Sequence, residues 1–298
     1  MKNLLFCLFV LLGSCSRELK TLPNSTGSLS EIIFVVEDVL WEQKIKLLVN
    51  KTLSSPIEGL NQNEANYKVV QINQSEFKSI LKTHKNIVIV SSNANEGSQQ
   101  NKWAKDQLVF QLNWQNDTIS TLEYLKKVKS IFDVNEIKKL KQIILKTTNK
   151  KAQENIKKNF SIDGAIPKEY SIVQDTSTLF WATYNPPKAE EIKHLIIYSF
   201  RPSSINLQNE VLSKTDSIFS KYLLGAPKGS YVKIEPQYPP FFKNDTYRGL
   251  WKLENGFMGG PFLIKTYFIE EKIVVAVGVI FAPQSQKRNY LKELEAIL

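Results

Sequence analysis

Histidine and cysteine are nearly missing from this chain, with two of each in 298 residues. His84 and His194 lie far apart, and neither has Cys, Asp or Glu companions at metal-ligand spacing, so no metal motif is present. Each reads as a surface or strand-edge residue. The cysteines, Cys7 and Cys15, both fall at the extreme N-terminus, which leaves no disulfide framework and no cysteine nucleophile in the body of the chain. No apolar run approaches the ~20 residues that span a bilayer. Leu4 to Leu12 and Ile273 to Ala282 reach about half that length, and the second alternates like a core strand. There is no Gly-x-Ser-x-Gly elbow and no Gly-rich phosphate loop after a strand. Ser-x-x-Lys matches such as those beginning at Ser75 and Ser230 are what chance gives in so Lys-rich a chain, and they lack the partner motifs of that chemistry. No cofactor is implied. Paired carboxylates for glycoside hydrolysis stay open, because their separation is spatial and not visible in sequence.

What is present begins with export. Lys2, the apolar run Leu4 to Leu12, and then Gly13-Ser14-Cys15 make residues 1–14 a predicted signal peptide. A Leu and two small residues before Cys is the pattern read by lipoprotein processing, so Cys15 is the expected lipidation site, carrying palmitate-type chains. The alternative is an ordinary signal peptide with an incidental cysteine. Two or three acyl chains anchor stably where one is marginal. Residues 16–30 are polar, with Pro23 and Gly27, and 15–30 are expected to be a flexible tether reaching at most about 50 Å. No acidic run follows Cys15, which favours an outer-membrane anchor facing the periplasm over display outside the cell. The expected partners are the membrane, through Cys15, and an envelope protein or glycan. Nucleic acid has no place there.

The chain carries 39 Lys+Arg against 29 Asp+Glu, a formal net charge of +10. Between Lys126 and Lys158 stand eleven Lys and three acids, Asp133, Glu136 and Glu154, so this stretch holds +8 of the total. Apolar residues recur through it at helical spacing: Ile119, Leu122, Leu125, Val128 and Ile131, then Ile137, Leu140, Ile143 and Ile144. Two helices are expected, the first capped by Asp117 and the second opened by a capping-box-like Asp133 with Glu136. The basic face reads either as a solvated surface or as a contact for lipid phosphates or an acidic glycan.

Elsewhere the first half alternates short strands (32–36, 67–72, 87–91, 107–113) with helices at 39–52 and 74–82. Gly164 and Pro167 mark a change of pattern. Beyond them come strands at 170–173, 179–184, 195–200, 231–235, 249–254, 262–269 and 272–281, a helix ending near Leu223, and a final helix with Tyr290, Leu291, Leu294, Ile297 and Leu298 on one face. Ile273 to Phe281 should be a central strand covered on both sides. The expected fold is α+β: two packed mixed α/β subdomains, 31–163 ending in the basic helices, and 164–298, strand-rich with a docked C-terminal helix.

One local rule is broken. Lys287 and Arg288 fall in the first turn of that last helix, where the macrodipole disfavours cations by about 0.3–1 kcal/mol. Such violations gather at functional or strained sites, and with free N–H groups at the helix start they could hold an anion. That anion is either a ligand or a protein carboxylate in an internal salt bridge.

Several blocks resemble a known family. Leu22-Pro23, Ser25, Gly27, Trp41, Gly59-Leu60 and His84 to Ile87 match it loosely. Gly229-Ser230-Tyr231, Arg248-Gly249-Leu250-Trp251, Phe257 to Phe262, Ala282-Pro283 and Lys287-Arg288 match it specifically. The resemblance is to the Bacteroidetes lipoproteins of the domain-of-unknown-function family numbered 4837. It extends over most of the exported chain and implies a lipoprotein export route without an activity. The expected role is therefore a non-enzymatic binding or scaffolding lipoprotein of the cell envelope, with a surface built from Arg248, Trp251, Met258, Lys287 and Arg288. The alternative is a carboxylate-based enzyme acting on envelope glycan.

Overall fold

Short β-branched runs separated by helices favour parallel pairing, and the first half forms such a sheet. The computed structural model describes residues 21–298 apart from Ala94 and Ala189, so Cys15 and the expected signal peptide lie outside the described residues. Strands β1 (Glu31–Val35), β2 (Lys68–Ile72), β3 (Asn86–Ser91), β4 (Gly97–Gln100) and β5 (Leu108–Asn113) take the order β2-β1-β3-β5-β4, with β4 alone antiparallel. A helical crossover joins β1 to β2 through α1 (Asp38–Leu40), a π turn (Trp41–Ile45) and α2 (Lys46–Asn50), as parallel strands require. One sheet face packs Ile32, Phe34, Val88 and Leu112 against Ile45 and Val49. The other carries a smaller cluster of Ile33, Val35, Ile87 and Val109 with Phe77 and Trp103.

The second sheet is wholly antiparallel. It contains β6 (Ser171–Asp175), β7 (Leu179–Tyr184), β8 (Ile192–Phe200), β9 (Tyr231–Ile234), β10 (Phe241–Lys243), β11 (Thr246–Glu254), β12 (Gly259–Ile269) and β13 (Lys272–Phe281). The order is β10-β11-β12-β13-β8-β7-β6, with β9 also beside β11. Between these strands and helices, β13 is central, and its alternation feeds two cores. Val274, Ala276 and Ile280 meet α4 (Lys150–Phe160) and α6 (Arg288–Ile297) on one face. Ile273, Val275, Val277 and Val279 meet α5 (Leu207–Tyr222) on the other. The architecture is α+β in two packed subdomains. Among the described residues no helix is long and apolar enough to cross a membrane.

Three expectations are corrected. The basic stretch before Lys146 is one helix, α3 (Thr118–Lys146), where two were expected. Asp117 caps it as anticipated, accepting the N–H groups of Ile119 and Ser120. Asp133 and Glu136 cap nothing: no Gly or Pro interrupts the helix, so their neighbours' N–H groups are already bonded, and both side chains turn to other work described below. Second, the pattern break at 161–167 ends α4, with Ser161 in the left-handed region (φ 59°), but it does not divide the cores. Ala152, Ile156 and Phe160 belong to the core of the second sheet, while Leu125, Val128 and Phe132 of α3 belong to the first. Packing therefore changes sides between α3 and α4, ahead of the expected boundary at 163.

Third, the expected tether is paired to the body from Pro23 onward. The Pro23 carbonyl accepts the Lys105 N–H at 2.8 Å, Thr26 exchanges backbone hydrogen bonds with Thr83 and Lys85, and Ser30 is fully buried. Gly27 (φ +93°) makes the close approach possible, because a Cβ there would collide with the His84 ring. His84 is consequently buried, not a surface residue, and burial holds its pKa down.

Candidate binding site

The five residues expected to share a surface are divided between two clefts separated by loop 57–66. Gly59 (φ +86°) lets that loop lie directly on β11, since a Cβ there would meet the Arg248 carbonyl oxygen at 2.5 Å. On one side is a cleft of about 130 Å³ at the joint between subdomains, lined by Ile57, Asn66, Lys129, Asp133, Arg248, Arg288, Leu291, Lys292 and Glu295. On the other is a groove of about 280 Å³ that includes Leu60, Tyr238, Trp251, Phe257, Met258, Pro283 and Lys287.

The joint cleft is charged, and its charges are matched within the chain. Glu136, 3% exposed, pairs with Lys292 at 2.5 Å and accepts hydrogen bonds from Asn86 Nδ2 (2.8 Å) and Ser30 N (3.2 Å). Asp133 takes the Tyr67 hydroxyl (2.8 Å) and Lys129 (2.8 Å), with Lys292 at 3.4 Å. The Lys292 ammonium also sits 3.8 Å from the centre of the Tyr67 ring, a cation–π contact. Burial raises the Asp133 pKa, but Lys129 and Lys292 outweigh it and the net shift is downward. Burial, with Glu136 and Asp133 beside it, pushes the Tyr67 phenol up. This network ties β1, β2, β3, α3 and α6 together. Arg248 pairs with Glu295.

Lys287 and Arg288 are buried, 9% and 8% exposed, so as a pair they present no surface. The anion at this helix start is a protein carboxylate: Glu64 accepts the N–H of Lys287 (2.7 Å), the N–H of Arg288 (2.9 Å) and Arg288 Nε (3.2 Å). A remote Glu thus supplies the cap that the local sequence lacks and offsets the misplaced cations. The Lys287 ammonium folds back onto the carbonyls of Ala282 and Ser285 at 2.5 Å each, and burial lowers its pKa.

The groove is different in kind. Trp251, 4% exposed, forms part of its floor and is fixed by a 2.9 Å hydrogen bond from Nε1 to the Ile280 carbonyl. Met258 is half-buried beside it. Phe257, at the tip of the turn joining β11 and β12, is fully exposed at 109%, and Tyr238 is 46% exposed. The sequence contained a signal for this: in Asn255-Gly256-Phe257-Met258-Gly259 a Phe occupies a turn, where no core is within reach. Asn255 takes the positive φ (56°) that the turn demands. Glu64, Glu136 and Lys292, which hold the joint, gave no such signal. Among the described residues no three His, Cys, Asp or Glu side chains gather to hold a metal.

Comparison with known proteins divides the chain where the packing does. One family model, a domain of unknown function (DUF8532), matches residues 25–144, and another, a domain of unknown function (DUF4837), matches residues 149–298. No curated protein matches the chain. The resemblance expected over most of the exported chain is thus confined to its second half, and the looser first-half match reflects a different domain. With residues 149–298 matched, the chain belongs to the DUF4837 family of domains of unknown function.

Proposed function

We propose that this protein is a cell-envelope lipoprotein, acylated on Cys15, that binds a neighbouring envelope component through the groove beside the β11–β12 turn. The observation that carries this reading is Phe257. A fully exposed Phe beside Tyr238 and Met258, over a groove of about 280 Å³, leaves apolar area bare that a partner can cover. Burying one such ring contributes roughly 1.5–3 kcal/mol to an interface. Of the five residues first assigned to the surface, Trp251 and Met258 remain in this site with Lys287 at its wall, and Arg248 and Arg288 serve the joint. The groove is apolar along Trp251, Met258 and Pro261, with Lys252 and Glu235 beside it, which suits an extended protein segment presenting an apolar side chain. Catalysis on envelope glycan gains no support from the joint cleft. Asp133 is held toward its carboxylate form, the wrong direction for a proton donor, and Glu295 is engaged by Arg248.

Two experiments test the parts separately. Fatty-acid labelling should mark the wild type and not Cys15→Ala; equal labelling would end the lipoprotein reading. A photo-crosslinking residue at Phe257 should capture a specific protein in cells, while the same probe at Ile205, equally exposed in the loop before α5, should not. Equal capture from both positions, glycan fragments, or no capture would remove the groove as a protein-binding site.

A further inference from the structure

Helix α3 buries one side and leaves the opposite side without a partner. Leu125, Val128, Phe132, Glu136 and Ile144 face inward. Outward, Lys127, Ile131, Val134, Lys138 and Leu145 recur at spacings of 4, 3, 4 and 7, one stripe of a helix with 3.6 residues per turn. Val134 is 65% exposed and Leu145 44%. The α3 lysines in ion pairs among the described residues are Lys126, with Glu123, and Lys129, with Asp133. Lys127 and Lys138 belong to none and stand exposed beside the bare apolar side chains.

We infer that this outer face of α3 lies flat on an anionic lipid bilayer. Its chemistry is that of an interfacial helix: lysines for headgroup phosphates, and Ile131, Val134 and Leu145 to enter between headgroups. An acidic glycan would match the lysines but would leave those apolar side chains uncovered. The course of the chain agrees. Pro23 and Asn24 pair with Lys105, and Lys139, which follows Phe132 and Glu136 on the inward side of α3, donates its ammonium to the neighbouring Asp106 carbonyl at 2.5 Å. The N-terminal segment therefore meets the body beside the C-terminal half of α3, across the helix from its outer face. Seven residues lie between Cys15 and Pro23, and the eight steps from one to the other span at most about 27 Å when fully extended. This point rests on the proposed acylation of Cys15, which would hold Pro23 within that distance of the bilayer and α3 close behind it. The charge and shape of the face do not depend on it.

The test uses the mature chain from Ser16, without its acyl group, since that chain keeps every residue of both cores. It should float with vesicles containing phosphatidylglycerol, not with pure phosphatidylcholine, and 0.5 M salt should release it. Lys127→Glu/Lys138→Glu should weaken binding at least tenfold, and Val134→Asp several-fold. Reversal of two exposed lysines elsewhere, Lys228→Glu/Lys243→Glu, should leave it unchanged. Equal binding to both vesicle types, undiminished binding by the α3 variants, or retention on an anionic polysaccharide but not on vesicles would overturn the inference. If Cys15 labelling fails while anionic vesicles still retain the chain, the anchor reading falls and this one stands.

Discussion

The joint cleft and the hairpin groove lie on either side of loop 57–66 and treat their side chains in opposite ways. In the joint, Glu136, Asp133, Lys292, Arg248 and Glu64 all find their counter-charges or hydrogen-bond partners within the chain, across elements far apart in sequence. In the groove, Phe257 is fully exposed and Tyr238 nearly half exposed, and neither belongs to a core cluster. Buried charges that are matched internally lock two subdomains, whereas exposed aromatics that stabilise no core leave their area for another molecule. The difference separates residues that hold the fold from residues available for binding, although the sequence blocks containing them are contiguous.

The comparison breaks most visibly if a joint residue can be removed at little cost. Lys292→Met leaves the Glu136 carboxylate buried without its cation, and should destabilise by about 3–5 kcal/mol in a denaturant titration. Adding Glu136→Gln should recover much of that loss, because the uncompensated charge is then gone. If the single variant costs under about 1 kcal/mol, the network is no lock.

Acid should weaken the fold through groups buried outside the groove. Burial holds His194 down to about 4 from an ordinary 6.5. Because its folded pKa is depressed, the unfolded chain binds the extra proton first. Stability should be full above pH 6.5 and fall as pH drops towards 4, by roughly 3 kcal/mol at the lower end. His84, lowered by burial, acts in the same direction. Glu31, lowered to about 2 chiefly by the Ser28 N–H and Lys68, adds a further loss below its unfolded value of 4.5. His194→Gln should flatten the pH profile of the melting temperature between 6.5 and 4; an unchanged slope would assign the acid sensitivity elsewhere.

Glu64→Ala removes the remote cap of α6 and should cost about 2 kcal/mol, with hydrogen exchange rising first at the N–H groups of Lys287 and Arg288. The smallest stability change belongs to the groove. Phe257→Ala should move the unfolding midpoint by less than about 0.5 kcal/mol while abolishing partner capture. A large stability loss there would make Phe257 a fold residue and erase the contrast. The Lys287→Ala/Arg288→Ala pair cannot serve as this probe, since both side chains are buried and engaged internally.

Local pattern was a good guide wherever one element's own residues decide its state. The limits of β7 and β13 and the two-sided burial of β13 follow from β-branched alternation, and the Asp117 cap follows from local side-chain chemistry. Pattern failed where a distant group supplies the partner. Asp133 and Glu136 have capping-box spacing, and only the presence of Tyr67 and Lys292 shows that they face a joint. Strands β4 and β10 were missed for a related reason: Gly97–Gln100 and Phe241–Lys243 are too short and too weakly alternating to declare themselves without the neighbouring strand.

By itself the sequence determined the concentration of positive charge between Lys126 and Lys158, the α+β class and the apolar strand at the centre of the second sheet. These depend on composition and short-range periodicity. Tertiary structure alone decided that α4 belongs to the second core, that Glu64 is the anion at Lys287 and Arg288, and that Phe257 stands exposed over a groove. Each of those depends on which side chain, far along the chain, arrives within a few ångströms, and no local spacing encodes that.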